Sequence, residues 1–291
     1  MTWQILDANY EQAKIAVIGI GGGGGNAIQH MINSDIQGVE FICANTDSQA
    51  LSMIHNAKTI KLGSDLTKGL GAGNNPEIGK QATELSRQEI IDHLANTEML
   101  FIAAGMGGGT GTGGAPVIAK IAKELNILTV AVVTTPFKTE GEKRANQAKA
   151  GISSLIENVD SLIEVDNERV FEIFPPETPI EKAFTKANDV LMNAVKGVAN
   201  IVLKPSKINV DFADVLAVMS QKGMALMGYG SAAGDDRATK AIYEALNNPF
   251  FDRNEVKNAK GLLVNVCASS SITQKELKDI LEEADRKSTR L

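Results

Sequence analysis

The chain has 291 residues, 43% of them hydrophobic and 22% charged, the composition of a globular protein long enough for two domains. Its formal net charge is −6 and it carries no Lys/Arg block, which argues against nucleic acid as the main partner. No apolar run reaches membrane-spanning length and no signal peptide precedes the first strand, so the expectation is a cytoplasmic protein without direct membrane insertion.

A short N-terminal extension carries Trp3. Lys14 to Ile20 then reads as a first strand, too apolar and β-branched for an exposed edge. Gly19 to Gly25 read as a turn, and Asn26 to Asn33 as the start of a helix. Val39 to Ala44 and Thr59 to Leu62 are further strands. Gly63 to Gly79 is long, glycine-rich and poor in regular signals, which suits a functional loop. Ile78 to Leu94 has helical spacing. Met99 to Ala104 is the strand before Gly105-Met106-Gly107-Gly108-Gly109-Thr110-Gly111-Thr112-Gly113-Gly114, and Ala115 to Leu125 reads as the helix after it. Leu128 to Thr134 and Asp160 to Val165 are two more β-branched runs. Nearly continuous apolar strands alternating with helices predict an α/β fold, a Rossmann-like parallel sheet with helices on both faces.

Ile180 to Leu203 carries apolar residues at helical spacing over a wide face. Pro205 stops this long central helix. The remainder reads as a helix (212–227), a glycine loop (228–234), a helix (237–246), a strand (Gly261 to Cys267) and a helix (273–286). Cys43 and Cys267 both fall in strand-like runs, so two buried thiols in a reducing compartment are expected rather than a disulfide. Neither has the spacing of a metal motif. The division into domains is 1–179, a linking helix 180–203, and a partial α+β region 204–291.

The glycine turn at 105–114 sits between strand and helix, where backbone N–H groups and a helix N-terminus favour an anion. Thr110 and Thr112 add hydroxyls. Gly19-Ile20-Gly21-Gly22-Gly23-Gly24 satisfies the dinucleotide fingerprint, and Asp47 lies where a ribose-binding acid belongs. Against a dehydrogenase stand the five consecutive glycines 21–25 and the second glycine cradle at 105–114. Two cradles converging from adjacent strands suit a longer phosphate chain. No Gly-Lys-Ser or Gly-Lys-Thr occurs, so a nucleoside triphosphate site here is not of the P-loop type. Lys68 to Pro76 supplies more backbone N–H groups, with Ala72 and Gly73 suited to a terminal phosphate. Glu140 and Arg144 follow Thr134-Thr135-Pro136-Phe137; they read either as a surface i,i+4 pair or as part of the site at the carboxyl end of a strand. Phe184 and Asn188, one turn apart, read as core packing or as a stacked base with an amide on its edge. Asp211 reads as a helix N-cap with Asp214 at N3; the functional alternative positions water for attack on phosphorus. Some 35 Å of helix separates them from Phe184, so they would act on a neighbouring subunit stacked head-to-tail.

Gly107 to Gly113 and Asn209-Val210-Asp211-Phe212-Ala213-Asp214, with Asn45-Thr46-Asp47, closely resemble the signature and synergy loop of the bacterial tubulin-like cell-division GTPases, the tubulin/FtsZ family. The resemblance runs from about Lys14 to Ser270. It implies that Gly21, Gly22, Gly23, Gly24, Gly25 and Asn26, with Gly107, Gly108, Gly109, Thr110 and Gly111, hold the phosphates of GTP or GDP. It implies that Ala72 and Gly73 sense the terminal phosphate, that Glu140, Arg144 and Asn167 hold the ribose side, and that Phe184 and Asn188 bind guanine. Asn209, Asp211 and Asp214 would act on the next subunit's GTP, and Mg²⁺ would sit on the phosphates with no protein ligand assigned. Further implications are head-to-tail filaments of a mid-cell division ring, division proteins, and membrane anchors recruited through a tail peptide.

Asn74-Asn75, Thr139 and Gly114 depart from the family pattern, and the family continues past 276–286 with more strands and the tail. The strand 261–267 would then keep open edges, which predicts weaker polymerisation and a tendency to aggregate. The competing functions are a nicotinamide-dependent oxidoreductase and a non-catalytic module that binds GTP and modulates filaments.

Overall fold

A computed structural model describes residues 13–34, 36–169, 175, 177–203, 212–247 and 261–289. Seven parallel strands form one sheet, in the order β3-β2-β1-β4-β5-β6-β7. They are β1 (Ile15–Ile20), β2 (Val39–Asn45), β3 (Lys58–Lys61), β4 (Met99–Gly105), β5 (Leu128–Thr135), β6 (Ser161–Asp166) and β7 (Gly223–Met224). The helices are α1 (Gly21–Asn33), α2 (Ser48–Ser52), α3 (Ser64–Thr67), α4 (Pro76–Leu85), α5 (Arg87–Leu94), α6 (Thr110–Glu124), α7 (Glu142–Ile156), α8 (Ile180–Leu203), α9 (Phe212–Met219), α10 (Arg237–Leu246) and α11 (Gln274–Thr289).

The pleat of β1 generates the layers. All six of its residues are buried, and alternate side chains enter opposite cores. Ala16, Ile18 and Ile20 pack with Ala82 of α4, Ile90 of α5, Ile118 of α6 and Leu155 of α7. Ile15 and Val17 pack with Ile28 and Met31 of α1 and with Leu191, Ala194 and Val195 of α8. A parallel sheet covered on both faces is therefore as expected, and α8 packs on one face from Val190 to Leu203.

Several elements differ from the sequence reading. The glycines 21–25 are not a turn before α1 but its first residues. Glycine lowers helix propensity, yet here it admits close packing: a Cβ at Gly24 would collide with the Ala103 carbonyl of β4. The stretch 63–79 holds α3 and the start of α4. Asn75 caps α4, its Oδ1 accepting from Glu77 N at 3.0 Å, and Pro76 occupies the first helical position. The helix expected over 78–94 is two, broken at Ser86, whose hydroxyl accepts from Gly63 N at 3.0 Å. α7 was not anticipated; Ala148, Ile152 and Leu155 carry its apolar face.

The helix expected over 212–227 ends at Met219, and β7 follows. The edge of β6 captures the chain: Ala225 N donates to Leu162 O at 2.7 Å and Ser161 Oγ donates to Met219 O at 2.7 Å. The sheet thus does not finish at Val165. The strand expected at 261–267 is not formed either. Among the described residues no strand lies beside it to complete a ladder, and Val264 and Val266 pack instead on Ala238, Ile242, Ile280 and Ala284 of α10 and α11. The expectation built on that strand's open edges loses its premise. Cys43 is buried, with its thiol pushed up to about 12 by burial, whereas Cys267 is exposed.

The pair α10–α11 is pinned by Arg237, whose Nε donates to Glu276 Oε1 at 2.7 Å and whose Nη2 donates to Glu276 Oε2 at 3.2 Å and Ser271 O at 3.0 Å. The guanidinium hydrogen bond, then the Thr273 N–H and hydroxyl, hold the Glu276 carboxyl at about 2, below its ordinary 4.5. A depressed carboxylate stabilises above its unfolded value, and that contribution fades as pH falls toward 2. Glu276→Gln is expected to be less stable than wild type at about pH 6, with the difference in urea midpoint shrinking steadily toward about pH 2. A difference independent of pH would show that the pair contributes shape rather than charge.

Candidate functional site

β1 and β4 are neighbours, but their crossover connections leave in opposite directions along the sheet. Ligands of open α/β sheets bind at such a switch point, outside the carboxyl ends of the strands. Here both ends lead into glycine. β1 runs directly into α1 at Gly21, and β4 runs through Gly105–Gly109 into α6 at Thr110. The two helix starts nearly touch. Gly21 has φ +70°, and a Cβ on it would lie 3.0 Å from Gly111 N and 3.3 Å from Thr110 Cβ. Only glycine serves there without strain. Neither helix has an acidic residue in its first turn, so nothing competes for the free N–H groups.

Gly22, Gly23 and Asn26 are exposed at the mouth of this cradle, while Gly24 and Gly25 face inward. Gly107, Gly109 and Gly111 are buried and Gly108 half-buried. Gly107 N donates to Thr112 Oγ1 at 2.8 Å, so Thr112 braces the turn instead of pointing into the cradle as expected. Thr110 lies at the cradle, against Gly21.

The loop 69–75 forms a third wall. Gly71 N donates to Thr46 O at 3.2 Å, Ser48 N to Gly69 O at 3.0 Å, and Asn75 N to Ala72 O at 3.0 Å. Ala72 is buried beside Gly109; Gly73, with φ +58°, has open space in front of it. Gln147 Nε2 of α7 donates to Asn74 O at 3.4 Å, a tie the sequence reading missed together with α7. Asp47 does not serve as a free acid. Its Oδ1 accepts from Gln49 N at 2.8 Å and Ala50 N at 3.2 Å, capping α2, which removes the ribose role expected for a dehydrogenase.

A fourth wall follows β5. Glu140 Oε1 accepts from Phe137 N at 2.9 Å, and its Oε2 lies 2.6 Å from Arg144 Nη1. Arg144 in turn packs against Gly107, where a Cβ would be 2.9 Å from the Arg144 carbonyl. The pair is thus tied to the glycine turn rather than loose on the surface. Asn167, after β6, is buried at 8% exposure, and among the described residues neither its Oδ1 nor Arg144 Nε has a hydrogen-bond partner. Buried polar atoms of this kind fit a polar ligand group. Phe184 is 45% exposed and meets Phe137 edge-on, with centroids 5.4 Å apart and planes at 82°. Its ring is therefore not core, and Asn188 is half-buried one turn on. His30 Nε2 of α1 lies 2.8 Å from Asp189 Oδ1, which fixes this end of α8 against the cradle helix. The role of Phe137 was legible only as the end of a strand.

Asn209 and Asp211 lie outside the described residues. Asp214 is in the first turn of α9, which follows α8 in the chain. From Phe184 to Leu203 that helix extends roughly 29 Å at 1.5 Å per residue. Among the described residues no group of three or more His, Cys, Asp or Glu could hold a metal ion. A groove of about 400 Å³ lies elsewhere, on the flank of α6, between Glu77, Lys80, Thr112, Gln147 and Gly151.

The contrast between Gly21 and Gly22 is testable. Gly21→Ala is expected to cost about 1–2 kcal/mol of stability through its left-handed φ. Gly22→Ala, with open space in front of it, is expected to keep full stability and yet weaken tripolyphosphate binding measured by calorimetry. Equal urea midpoints for the two variants would contradict this geometry.

Known proteins resemble this chain over most of its length. Residues 14–175 match the model of the Tubulin/FtsZ family, GTPase domain, and residues 223–290 that of the FtsZ family, C-terminal domain. The chain is 50% identical over 278 residues to the cell division protein FtsZ of Pseudomonas putida, covering 96% of this chain and 70% of that protein. It is 48% identical over 280 residues to that of Coxiella burnetii, covering 96% and 72%. A solved FtsZ dimer of M. jannaschii superposes with a TM-score of 0.88 at 42% identity, over 95% of this chain and 80% of that one. CetZ1 of Haloferax volcanii, at 21% identity and a TM-score of 0.74, shares the fold. The chain belongs to the Tubulin/FtsZ family.

Proposed function

We infer that this chain is a cytoskeletal GTPase: it binds GTP, hydrolyses it to GDP and phosphate, and assembles into filaments. The observation that carries the reading is the convergence of the α1 and α6 N-termini on one point, walled by the loop 69–75 and by Glu140–Arg144. Backbone N–H groups without acidic neighbours suit a triphosphate. We assign the phosphates to Gly21–Asn26 and Gly107–Gly111, the terminal phosphate to Ala72 and Gly73, and the ribose to Glu140, Arg144 and Asn167. Guanine stacks on the exposed face of Phe184, with Asn188 reading its edge. Mg²⁺ would accompany the phosphates and would neutralise charge there.

The hydrolytic groups are assigned to Asn209, Asp211 and Asp214 of the neighbouring subunit. The supporting observation is the length of α8, roughly 29 Å from Phe184 to Leu203, which the chain traverses before it reaches Asp214. Head-to-tail stacking brings the two together, and a contact of that kind continues into a filament. The division of labour is a nucleotide domain over 1–179, a spacer helix over 180–203 and an activating region over 204–291. Placement at a mid-cell ring with other division proteins extends the same reading.

Asp214→Ala is expected to lower GTP turnover at least ~100-fold, the scale of a lost acid–base group, with GTP affinity nearly unchanged. Mixing it with a Gly21→Ala chain, which supplies carboxylates but binds GTP poorly, is expected to restore part of the turnover. Loss of GTP affinity in Asp214→Ala, or no recovery in co-assembled mixtures, would place the carboxylates in folding rather than chemistry.

A further inference from the structure

We propose that Thr46 is a positioning residue that turns the Thr110 hydroxyl proton into the phosphate cradle; this rests on reading the cradle as a nucleotide site. Thr46 follows β2, is completely buried, and its Oγ1 lies 2.7 Å from Thr110 Oγ1. Coordinates alone leave the donor of this pair undefined, but the surroundings decide it. A hydroxyl has one proton and two acceptor lone pairs. Among the described residues, Thr110 Oγ1 is the one hydrogen-bond partner of the Thr46 hydroxyl. If Thr110 were the donor, the Thr46 proton would be buried with no acceptor, an expensive arrangement. Thr46 therefore donates, and Thr110 accepts.

The Thr110 proton is then left over, and among the described residues no acceptor takes it. Thr110 stands at the start of α6, its Cβ 3.3 Å from the position a Cβ of Gly21 would take, where the two helix N-termini meet. Directed there, the hydroxyl presents a donor and no acceptor, so it selects an anionic oxygen over a hydrogen-bond donor. Accepting from Thr46 also polarises it and strengthens the bond it makes.

Thr46 is itself held rigidly. Its carbonyl accepts from Thr67 Oγ1 at 3.3 Å and from Gly71 N at 3.2 Å. Thr67 Oγ1 also accepts from Gly69 N at 3.4 Å, and its one proton is shared between Thr46 O and Gly63 O, the latter at 3.2 Å. Thr46 thus joins the loop 69–75, through its carbonyl, to α6, through its hydroxyl. No charged group takes part.

Thr46→Val replaces the hydroxyl by a methyl of similar volume, and Thr46→Ser keeps the donor. Affinities for GDP and for guanosine are measured by competition with a fluorescent guanine nucleotide. The expected result for Thr46→Val is roughly a tenfold loss of GDP affinity, the scale of one hydrogen bond to a charged group, with guanosine affinity unchanged. Thr46→Ser is expected to bind GDP like wild type. In a Thr110→Val background, Thr46→Val is expected to add no further loss, because it acts through Thr110. Equal losses for GDP and guanosine, or an additive loss in the double variant, would make Thr46 a packing residue and overturn the proposal. If Thr46→Val does not fold, as judged by circular dichroism, the comparison is made with Thr46→Ala on the same criteria. Wild-type protein that bound guanosine and GDP equally would remove the phosphate site itself, and the positioning role with it.

Discussion

The constraint on which everything else depends is the adjacency of β1 and β4 in a parallel sheet. Parallel strands end on the same side, so their following helices begin side by side. Each helix begins with N–H groups that its own backbone cannot satisfy. Glycine at Gly21 lets the two beginnings approach within contact distance, and the result is one concentrated site for negative charge. The other walls are attached to this point by specific bonds: the loop 69–75 through Thr46, and the Glu140–Arg144 pair through Gly107.

The base site and the second region follow from the other face of the sheet. α8 packs its apolar side on β1, β4 and β5 and is anchored near its start by the His30–Asp189 contact. That anchor holds Phe184 and Asn188 beside the cradle. The same helix runs from Ile180 to Leu203, 24 residues, before α9 begins at Phe212.

How much of this was legible beforehand depended on what kind of signal each element carried. β1, β4, β5 and β6 were read correctly because buried parallel strands are continuous apolar runs. α8 was read over 180–203 because its apolar face is wide and unbroken. α7 was missed because its outer face is polar and its apolar residues are few. Gly21–Gly25 were misread as a turn because glycine propensity opposes a helix, and only packing against β4 reverses that preference. The strand expected at 261–267 had the right residues, but a strand is a property of pairs, and among the described residues its neighbour is absent. In the candidate site, the glycine runs that follow β1 and β4 were legible by type and spacing. The ring contact of Phe137, the capping role of Asp47 and the Thr46–Thr110 pair were not, because each joins residues far apart in sequence.

The central claim is that one chain binds the phosphate chain and guanine of GTP at the β1/β4 switch point. Amide hydrogen exchange with and without GTP tests it most directly. The account predicts slowed exchange in 21–25, 72–73 and 107–111, together with the start of α8, and little change with ATP at the same concentration. Protection confined to the groove between α4 and α7, or equal protection by ATP, would contradict it.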